Sequence, residues 1–455
     1  MRLSAADRPN VLFLAVDDLR PELGCYGQEH MRTPHLDALA KRSVLFERAY
    51  CNIPVCGASR SSLMTGIRGT RARFVGFDCH ASKDAPGAIP LNGHFKAAGY
   101  TTISLGKIFH HPDDFAEGWS EPAWRPKAPM YARPENLAKA KANPGQRKYG
   151  PPFEEADVPD DFFGDGKLAD EAVARLGQLA KGGKPFFLAV GFFKPHLPFV
   201  APKRYWDLYP EATVKMPDNY YPPKNAPAGA VHASSELRAY ADVPKQGVLP
   251  EGLARQLIRG YRAATSYTDA QIGRVLAELD ALGLRENTVV ILWGDHGWNL
   301  GEHTMWCKHC CFETSMRVPM IVSAPMSPGF KVGAKTAAIA EYIDIYPTLC
   351  DLAGLEKPRQ LQGMSFAPVL ADPSRPLRDA AIGRFGNGDT IRTATHRFTI
   401  YSDGSGGEAG RMLYDHGADP GENANIAGEA GGAGVAKELA ARLREGMAKT
   451  EKFNP

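Results

Sequence analysis

The chain has 455 residues, of which 44% are hydrophobic and 23% are charged, and its formal net charge is +3 at pH 7. This composition is typical of a globular enzyme long enough for one large α/β domain and a smaller unit. A net charge so close to zero argues against nucleic-acid binding by bulk electrostatics, although it is compatible with a local basic pocket for an anion.

The first ten residues contain no apolar core of a signal peptide and lead almost directly into an apolar run. No stretch approaches the ~18 consecutive apolar residues of a membrane span. As given, the sequence predicts a cytoplasmic protein without membrane or nucleic-acid partners, or a periplasmic or secreted one if a signal peptide was trimmed. The sequence does not determine the oligomeric state.

The first predicted element is a strand at residues 11–16, a continuous apolar run that ends at Asp17 and Asp18. Such a run is typical of a central strand in a parallel sheet. Thr33 and Pro34 then offer a helix N-cap and a proline at the first helical position. The apolar residues that follow at helical spacing are Leu36, Leu39, Ala40 and Val44.

Strand-like runs recur along the chain, with helical patterns between them. This alternation predicts an α/β fold in which helices sandwich a large, mostly parallel sheet. In open sheets of this class, functional sites gather at the carboxyl ends of the strands. The further predicted strands are residues 101–105, 185–190, 288–293 and 318–322, and the helices are 168–179 and 257–282.

Two long proline-rich segments, residues 122–165 and 202–250, are predicted to lie outside the core and to shape a binding site or a lid. A turn-rich stretch at 371–377 then separates a catalytic unit, residues 1–372, from a C-terminal unit, residues 373–455. The C-terminal unit is predicted to be a small antiparallel sheet with one helix. Its strands would be residues 381–385, 397–401 and 412–414, and its helix 435–450.

Two pairs of potential metal ligands follow predicted strands. Asp17 and Asp18 come directly after the first strand, and Asp295 and His296 come after the strand at 288–293. Carboxylate oxygens suit hard cations such as Ca²⁺, Mg²⁺ or Mn²⁺. Each pair alone could be a solvated turn, but two pairs at strand ends predict a divalent-cation site.

Lysine and histidine residues also follow predicted strands. Lys107 and His110 come after the strand at 101–105, and His196 follows the strand at 185–190. A lysine supplies a point charge for an anion, and a histidine can transfer a proton near neutral pH. The glycine-rich loop after Asp295 leads to Lys308, which we expect to extend back over the same pocket.

The eight cysteines are scattered rather than arranged as a compact disulfide framework. The run 307–311 contains three cysteines and a histidine, but no second ligand pair stands at the spacing of a structural zinc site. We therefore expect free thiols beside an active-site loop. Trp306 is predicted to be a packing residue.

The run Cys56-Gly57-Ala58-Ser59-Arg60 resembles the Cys-x-(Pro or Ala)-Ser-Arg signature of type I sulfatases, with alanine where proline is more usual. With the other motifs, in their order, the chain resembles a type I sulfatase of the alkaline-phosphatase-like superfamily and is most similar to the iduronate-2-sulfatase branch. The motifs that carry this resemblance are residues 10–20, 56–66, 106–110, 194–199, 294–308, 391–393, 397–399 and 413–416.

The resemblance implies that Cys56 is oxidised by a formylglycine-generating enzyme to formylglycine, whose hydrated aldehyde is the nucleophile. A divalent cation, Ca²⁺ with Mg²⁺ or Mn²⁺ as alternatives, would be held by residue 56 together with three carboxylates and one imidazole. His296 stands where many sulfatases have asparagine and the iduronate-2-sulfatase branch has histidine. The implied metal ligands are Asp17, Asp18, Cys56, Asp295 and His296.

The resemblance also assigns the remaining catalytic roles. Arg60 would steady the nucleophile, and His110 would be the base that expels sulfate and regenerates the aldehyde. Lys107, His196 and Lys308 would hold the sulfate, with His196 or Lys308 protonating the leaving oxygen.

The implied activity is hydrolysis of a carbohydrate sulfate ester, for example of a 2-O-sulfated uronic acid. The first alternative is a phosphonate or phosphodiester hydrolase with the same nucleophile and cation. The second is an unmodified protein that binds sulfate or a glycan without turnover. Arg73, His80 and Trp298 are candidate substrate contacts, although a structural role for each is equally compatible with the sequence.

Overall fold

The computed structural model describes residues 8–143 and 149–451. The strands are β1 (Asn10–Val16), β2 (Val44–Tyr50), β3 (Thr101–Gly106), β4 (Phe153–Ala156), β5 (Phe186–Phe192), β6 (Phe199–Pro202), β7 (Thr288–Gly294), β8 (Asn299–Leu300), β9 (Trp306–Cys307), β10 (Arg317–Ser323), β11 (Lys335–Glu341), β12 (Ala380–Phe385), β13 (Gly388–Thr393), β14 (His396–Ser402) and β15 (Glu408–Asp415).

The helices are α1 (Pro34–Ala40), α2 (Cys56–Thr65), α3 (Ala81–Asp84), α4 (Leu91–Ala97), α5 (Pro134–Ala142), α6 (Gly164–Leu179), α7 (Lys203–Trp206), α8 (Ser235–Arg238), α9 (Glu251–Ala281), α10 (Glu313–Met316), α11 (Ile345–Leu352), α12 (Ala367–Ala371) and α13 (Ala433–Thr450). Among the described residues, no helix combines the length and the apolar character that a membrane span requires.

The main sheet has seven strands in the order β11-β2-β10-β7-β1-β5-β3. All neighbouring pairs are parallel except the two that involve β10, which runs antiparallel to both β2 and β7. The predicted mostly parallel sheet is therefore confirmed. Because β1 lies in the interior of the sheet, its continuous apolar sequence is buried on both faces.

Helices cover both faces of this sheet, as predicted. Val11 and Phe13 of β1 point into a core that includes residues of α2, α4 and α11. Leu12 and Leu14 point to the opposite face, where α1, α6 and the C-terminal half of α9 pack. The alternation of β1 side chains between two apolar layers fixes the register of the strand.

The small sheet is antiparallel, in the order β12-β13-β14-β15, and α13 packs on one of its faces through Leu439 and Leu443. The predicted antiparallel sheet with one helix is thus confirmed. The division of the chain at residues 372 and 373 stays a prediction, and residues 1–7 and 452–455 lie outside the described part of the chain.

The structure corrects several local predictions. Val44 belongs to β2 rather than to the first helix, which ends at Ala40. The strands β2, β11 and β13 were not predicted. Within the proline-rich segments, Tyr131, Leu237 and Tyr240 are buried, so the prediction that both segments lie outside the core was wrong in part. Residues 144–148 of the first segment lie outside the described residues.

Candidate active site

The two predicted pairs of metal ligands meet where β1 and β7 end side by side. The backbone N–H of Asp18 donates a 2.9 Å hydrogen bond to Oδ1 of Asp295. Nε2 of His296 lies 3.3 Å from Oδ1 of Asp18 and 3.6 Å from Oδ1 of Asp295. Asp17, which precedes Asp18, is buried as well. Parallel pairing of the two strands explains this meeting, since Val16 is the partner of Gly294.

Cys56 is the first residue of α2, and its Sγ lies in the same cluster. It is 3.2 Å from Nε2 of His296 and 3.9 Å from Oδ1 of Asp18. The ligand atoms of these three residues all lie within 4.8 Å of one another. Burial raises the pKa of the Cys56 thiol well above its usual value. The converging carboxylates, imidazole and residue 56 fit a hard divalent cation.

Arg60 lies one helical turn after Cys56 and is fully buried. Its Nε donates to Oδ2 of Asp295 at 2.9 Å, and its Nη2 lies 3.3 Å from Oδ1 of Asp17. Its Nη1 donates to the backbone carbonyls of Lys107 and Ile108. The planar guanidinium thereby fixes the positions of two carboxylates and of the backbone after β3.

Two lysines pair with the carboxylates after β1. Nζ of Lys107 is 2.6 Å from Oδ2 of Asp17, and Nζ of Lys308 is 3.1 Å from Oδ1 of Asp18. Burial alone would raise the pKa of Asp17, but Lys107, His196 and Arg60 hold it well below its usual range. Nε2 of His196 lies 3.8 Å from Oδ2 of Asp18. The three predicted anion-binding groups therefore surround the candidate metal ligands.

His110 lies at the rim of the site. Its Nδ1 is buried without a hydrogen-bond partner in the described part of the chain, and Nη2 of Arg125 donates to its backbone carbonyl at 2.9 Å. Burial, assisted by the positive charge of Lys107, lowers the pKa of His110 to about 3. The imidazole is thus neutral near pH 7.

Two carboxylates of the site were not predicted from the sequence. Oε1 of Glu236 lies 2.8 Å from Nζ of Lys308, and Glu236 comes from α8 in the second proline-rich segment. Asp165 accepts hydrogen bonds from the backbone N–H groups of Phe193 and Lys194 and so supports the turn that carries His196. Neither belongs to a recognisable motif. Only the length of the proline-rich segments indicated that such residues could lie there.

The structure places the three candidate substrate contacts in three different surroundings. Trp298 is 1% exposed and lies under Nζ of Lys308, 4.8 Å from the ring centroid. Arg73 donates to the carbonyls of Arg68 and Thr450. His80 stacks on His111 at the rim, with ring centroids 3.9 Å apart.

The cysteine-rich run forms part of the wall behind the site. Cys307, Cys310 and Cys311 are buried free thiols. Nδ1 of His309 lies 3.9 Å from Oε2 of Glu236. Trp306 is 2% exposed within an apolar cluster.

The chain matches known protein families over most of its length. Residues 9–355 match the family described as sulfatase, and residues 301–449 match the C-terminal family of N-sulphoglucosamine sulphohydrolase. The iduronate 2-sulfatase of Mus musculus is 35% identical over 411 residues, which cover 82% of this chain and 74% of the relative.

Solved structures share the fold. A protein solved in complex with its substrate D-glucosamine-2-N,6-O-disulfate has a TM-score of 0.78 and 22% identity, with 98% of each chain covered. The phosphonate monoester hydrolase of Silicibacter pomeroyi also has a TM-score of 0.78, with 21% identity and coverage of 97% of this chain and 96% of that one.

Proposed function

The chain belongs to the sulfatase family, and from that premise we propose that it releases sulfate from a sulfated carbohydrate, with a 2-O-sulfated uronic acid as the favoured substrate. The observation that carries the proposal is the buried cluster in which Cys56 meets Asp18 and His296 beside Lys107 and Lys308. The similarity to a mammalian iduronate 2-sulfatase supports the uronic acid.

The residues of this buried cluster fit the two groups that sulfate-ester hydrolysis requires, a divalent cation and a formylglycine nucleophile. Residue 56 and the carboxylates and imidazole around it would hold Ca²⁺, with Mg²⁺ or Mn²⁺ as alternatives. When bound, the cation polarises a sulfate oxygen, and a formylglycine derived from Cys56 supplies a hydrated aldehyde as nucleophile. The residues that would hold the cation are Asp17, Asp18, Cys56, Asp295 and His296.

The other residues of the site supply charge and protons. Lys107 and Lys308 provide the positive charge that neutralises the sulfate oxygens, and burial strengthens this interaction because water does not screen it. His196 or Lys308 protonates the leaving oxygen. The imidazole of His110 would accept the proton of the second hydroxyl of the hydrated aldehyde, and loss of that proton releases sulfate. Arg60 keeps Asp17 and Asp295 in place.

The test begins with the protein co-expressed with a formylglycine-generating enzyme. Mass spectrometry of the tryptic peptide that contains Cys56, with an aldehyde-trapping reagent, confirms the modified residue. The modified enzyme is then supplied with a 2-O-sulfated uronic acid disaccharide, an aryl sulfate, an aryl phosphodiester and an aryl phosphonate. We expect sulfate release from the disaccharide and the aryl sulfate, and none from a Cys56→Ala variant.

Two outcomes would contradict the proposal. Faster turnover of the phosphorus esters would favour a phosphonate or phosphodiester hydrolase; the neighbour from Silicibacter pomeroyi, which shares the fold, is a phosphonate monoester hydrolase. Binding of the sulfated disaccharide without turnover, with the formylglycine confirmed, would favour a sulfate- or glycan-binding protein.

A further inference from the structure

Glu236 joins the two candidate proton donors of the site. A single oxygen of its side chain, Oε1, lies 2.8 Å from Nζ of Lys308 and 3.3 Å from Nε2 of His196. The two donors come from separate parts of the chain, since Lys308 follows β9 and His196 follows β5. Contacts with this one carboxylate oxygen therefore link the positions of Lys308 and His196.

The carboxylate is held by a fixed element. Glu236 is the second residue of α8, and the next residue, Leu237, is 1% exposed in an apolar cluster. Oγ of Ser234, directly before α8, accepts a 2.9 Å hydrogen bond from the backbone N–H of Trp306. The short helix is thus anchored to the strand that immediately precedes Lys308.

Lys308 and His196 share two carboxylate partners, Asp18 and Glu236, which differ in their relation to the candidate cation site. Asp18 contacts both Lys308 and His196, at 3.1 and 3.8 Å, but it is also a candidate ligand of the cation. Glu236 is their other carboxylate partner and is not among the implied cation ligands, although its oxygen lies within 4.8 Å of ligand atoms of Asp18 and His196. Its other oxygen, Oε2, is buried without a hydrogen-bond partner among the described residues. Nδ1 of His309 lies 3.9 Å from Oε2, beyond hydrogen-bond distance, so this oxygen carries a desolvation cost.

We propose that Glu236 is a positioning residue for proton transfer to the leaving oxygen, an inference that rests on the proposed function. Its Oε1 holds Nζ of Lys308 and Nε2 of His196 toward the same point of the site. As the sulfuryl group passes to the nucleophile that the proposed function places at residue 56, the bond between sulfur and the leaving oxygen breaks and its electron pair stays on that oxygen. A proton moves to the oxygen from one of the two nitrogens, giving a neutral alcohol, and the donor regains a proton from solvent.

The role predicts a dependence on the leaving group. A sugar alkoxide is a strong base and leaves only when it is protonated, whereas 4-nitrophenolate is a weak base and leaves without a proton. Loss of a well-positioned general acid costs about 10²–10⁴-fold in rate when protonation is required. Misplacing the donors should therefore slow the sugar sulfate and spare the aryl sulfate.

The experiment compares Glu236→Gln with the wild type on a 2-O-sulfated uronic acid disaccharide and on 4-nitrophenyl sulfate, with formylglycine confirmed in both proteins. We expect kcat to fall by about 10²-fold or more on the disaccharide and by less than about 3-fold on the aryl sulfate. Glu236→Asp, which keeps the charge, should recover part of the loss on the disaccharide.

Glu302→Gln is the matched control. Glu302 is similarly buried, with 12% of its side chain exposed against 19% for Glu236, and it pairs with Arg20 at 2.7 Å. It contacts neither proton donor, so a destabilised Glu302→Gln enzyme should lose activity on both substrates alike and keep their ratio.

Several results would overturn the inference. An equal loss on both substrates in Glu236→Gln would show a merely structural role. Loss of the bound divalent cation from that variant, measured by elemental analysis, would make Glu236 a determinant of metal binding instead. A modified wild type that turns over neither sulfate would overturn the proposed function together with this inference, whereas an active wild type with an unchanged ratio in Glu236→Gln would overturn the inference alone.

Discussion

At the scale of single residues, contacts between buried charged side chains hold the geometry of the site. Arg60 makes contacts with Asp17, Asp295 and two backbone carbonyls from a position fully shielded from solvent. A lysine in its place would offer one nitrogen to partners that lie in different directions. Removing one member of such a cluster leaves a buried charge with fewer partners in a medium of low dielectric constant.

Asp295→Ala should weaken binding of the divalent cation by more than about 100-fold and abolish sulfate release, since even groups that only support a metal ligand contribute 10–100-fold. Titration calorimetry with Ca²⁺ measures the first effect and an aryl sulfate assay the second. Asp351→Ala is the control, because Asp351 is 38% exposed and pairs with Lys357 on the surface. Retained cation affinity and turnover in Asp295→Ala would refute the assignment.

His110→Ala should release one equivalent of 4-nitrophenol per enzyme molecule and then stop, because the variant lacks the proposed base that expels sulfate. A stopped-flow trace of nitrophenol release measures the burst. The neighbouring His111→Ala removes a rim imidazole that stacks on His80 and should leave steady turnover intact. Continuous multiple turnover by His110→Ala would show that another group is the eliminating base.

At the scale of secondary structure, the position of Lys107 depends on the close approach of the backbone after β3 to the end of β5. The backbone N–H of Lys107 donates to the carbonyl of Gly191 in β5 at 2.8 Å. A Cβ atom at Gly191 would overlap the backbone carbonyl of Lys107, which also accepts a hydrogen bond from Arg60. Glycine at this position therefore allows the lysine to reach Asp17.

Gly191→Ala should lower the free energy of unfolding by about 1–3 kcal/mol, as overpacking does, and should reduce sulfatase activity by moving Lys107. Urea denaturation and an aryl sulfate assay measure the two effects. In Gly177→Ala, on α6, the added Cβ would have open space around it, and the stability should stay equal or rise by up to about 1 kcal/mol. Full activity in Gly191→Ala would show that the close approach of these two backbone segments does not position Lys107.

At the scale of the whole molecule, buried ion pairs join the main sheet's loops to the small sheet. Oε2 of Glu313, at the start of α10, lies 3.0 Å from Nε of Arg392 and 2.5 Å from Nη2 of Arg397. Arg397 also lies 2.9 Å from Glu422. Because α10 follows the loop that carries Lys308, the small sheet supports one wall of the site.

These pairs make stability depend on pH in a defined direction. Burial alone would raise the pKa of Glu313, but Arg397 and Arg392 lower it below its usual value of 4.5. A carboxyl group with a lowered pKa in the folded state contributes stability above its unfolded pKa and loses it as the pH falls. Glu313→Gln should cost about 3–5 kcal/mol at pH 7, and the difference from wild type should shrink below about pH 4.5.

Chemical denaturation at several pH values measures this change. Glu438→Gln, on α13, removes a carboxylate that is 66% exposed and lies 3.4 Å from Arg442, so its effect should stay within about 0.5 kcal/mol at every pH. A constant difference between Glu313→Gln and wild type from pH 7 to pH 3 would contradict the proposed linkage.

The sequence alone determined the fold class, the family, and the strand ends at which Asp17, Lys107 and Asp295 lie. This was possible because buried parallel strands are continuous apolar runs and because the residues after them belong to local motifs. It did not predict β2, β11 or β13. The fully apolar stretches of β2 and β11 are short, since Glu47 and Arg48 interrupt β2 and charged residues stand at both ends of β11, Lys335 and Glu341.

Only the tertiary structure decided which distant residues share the site. Glu236 lies in a proline-rich segment without a motif, and it reaches Lys308 and His196 because α8 packs against β9 through Leu237 and Ser234. The tertiary structure likewise decided that Trp298 is buried under Lys308. Such contacts depend on loop packing across large sequence separations, and no local periodicity or spacing encodes them.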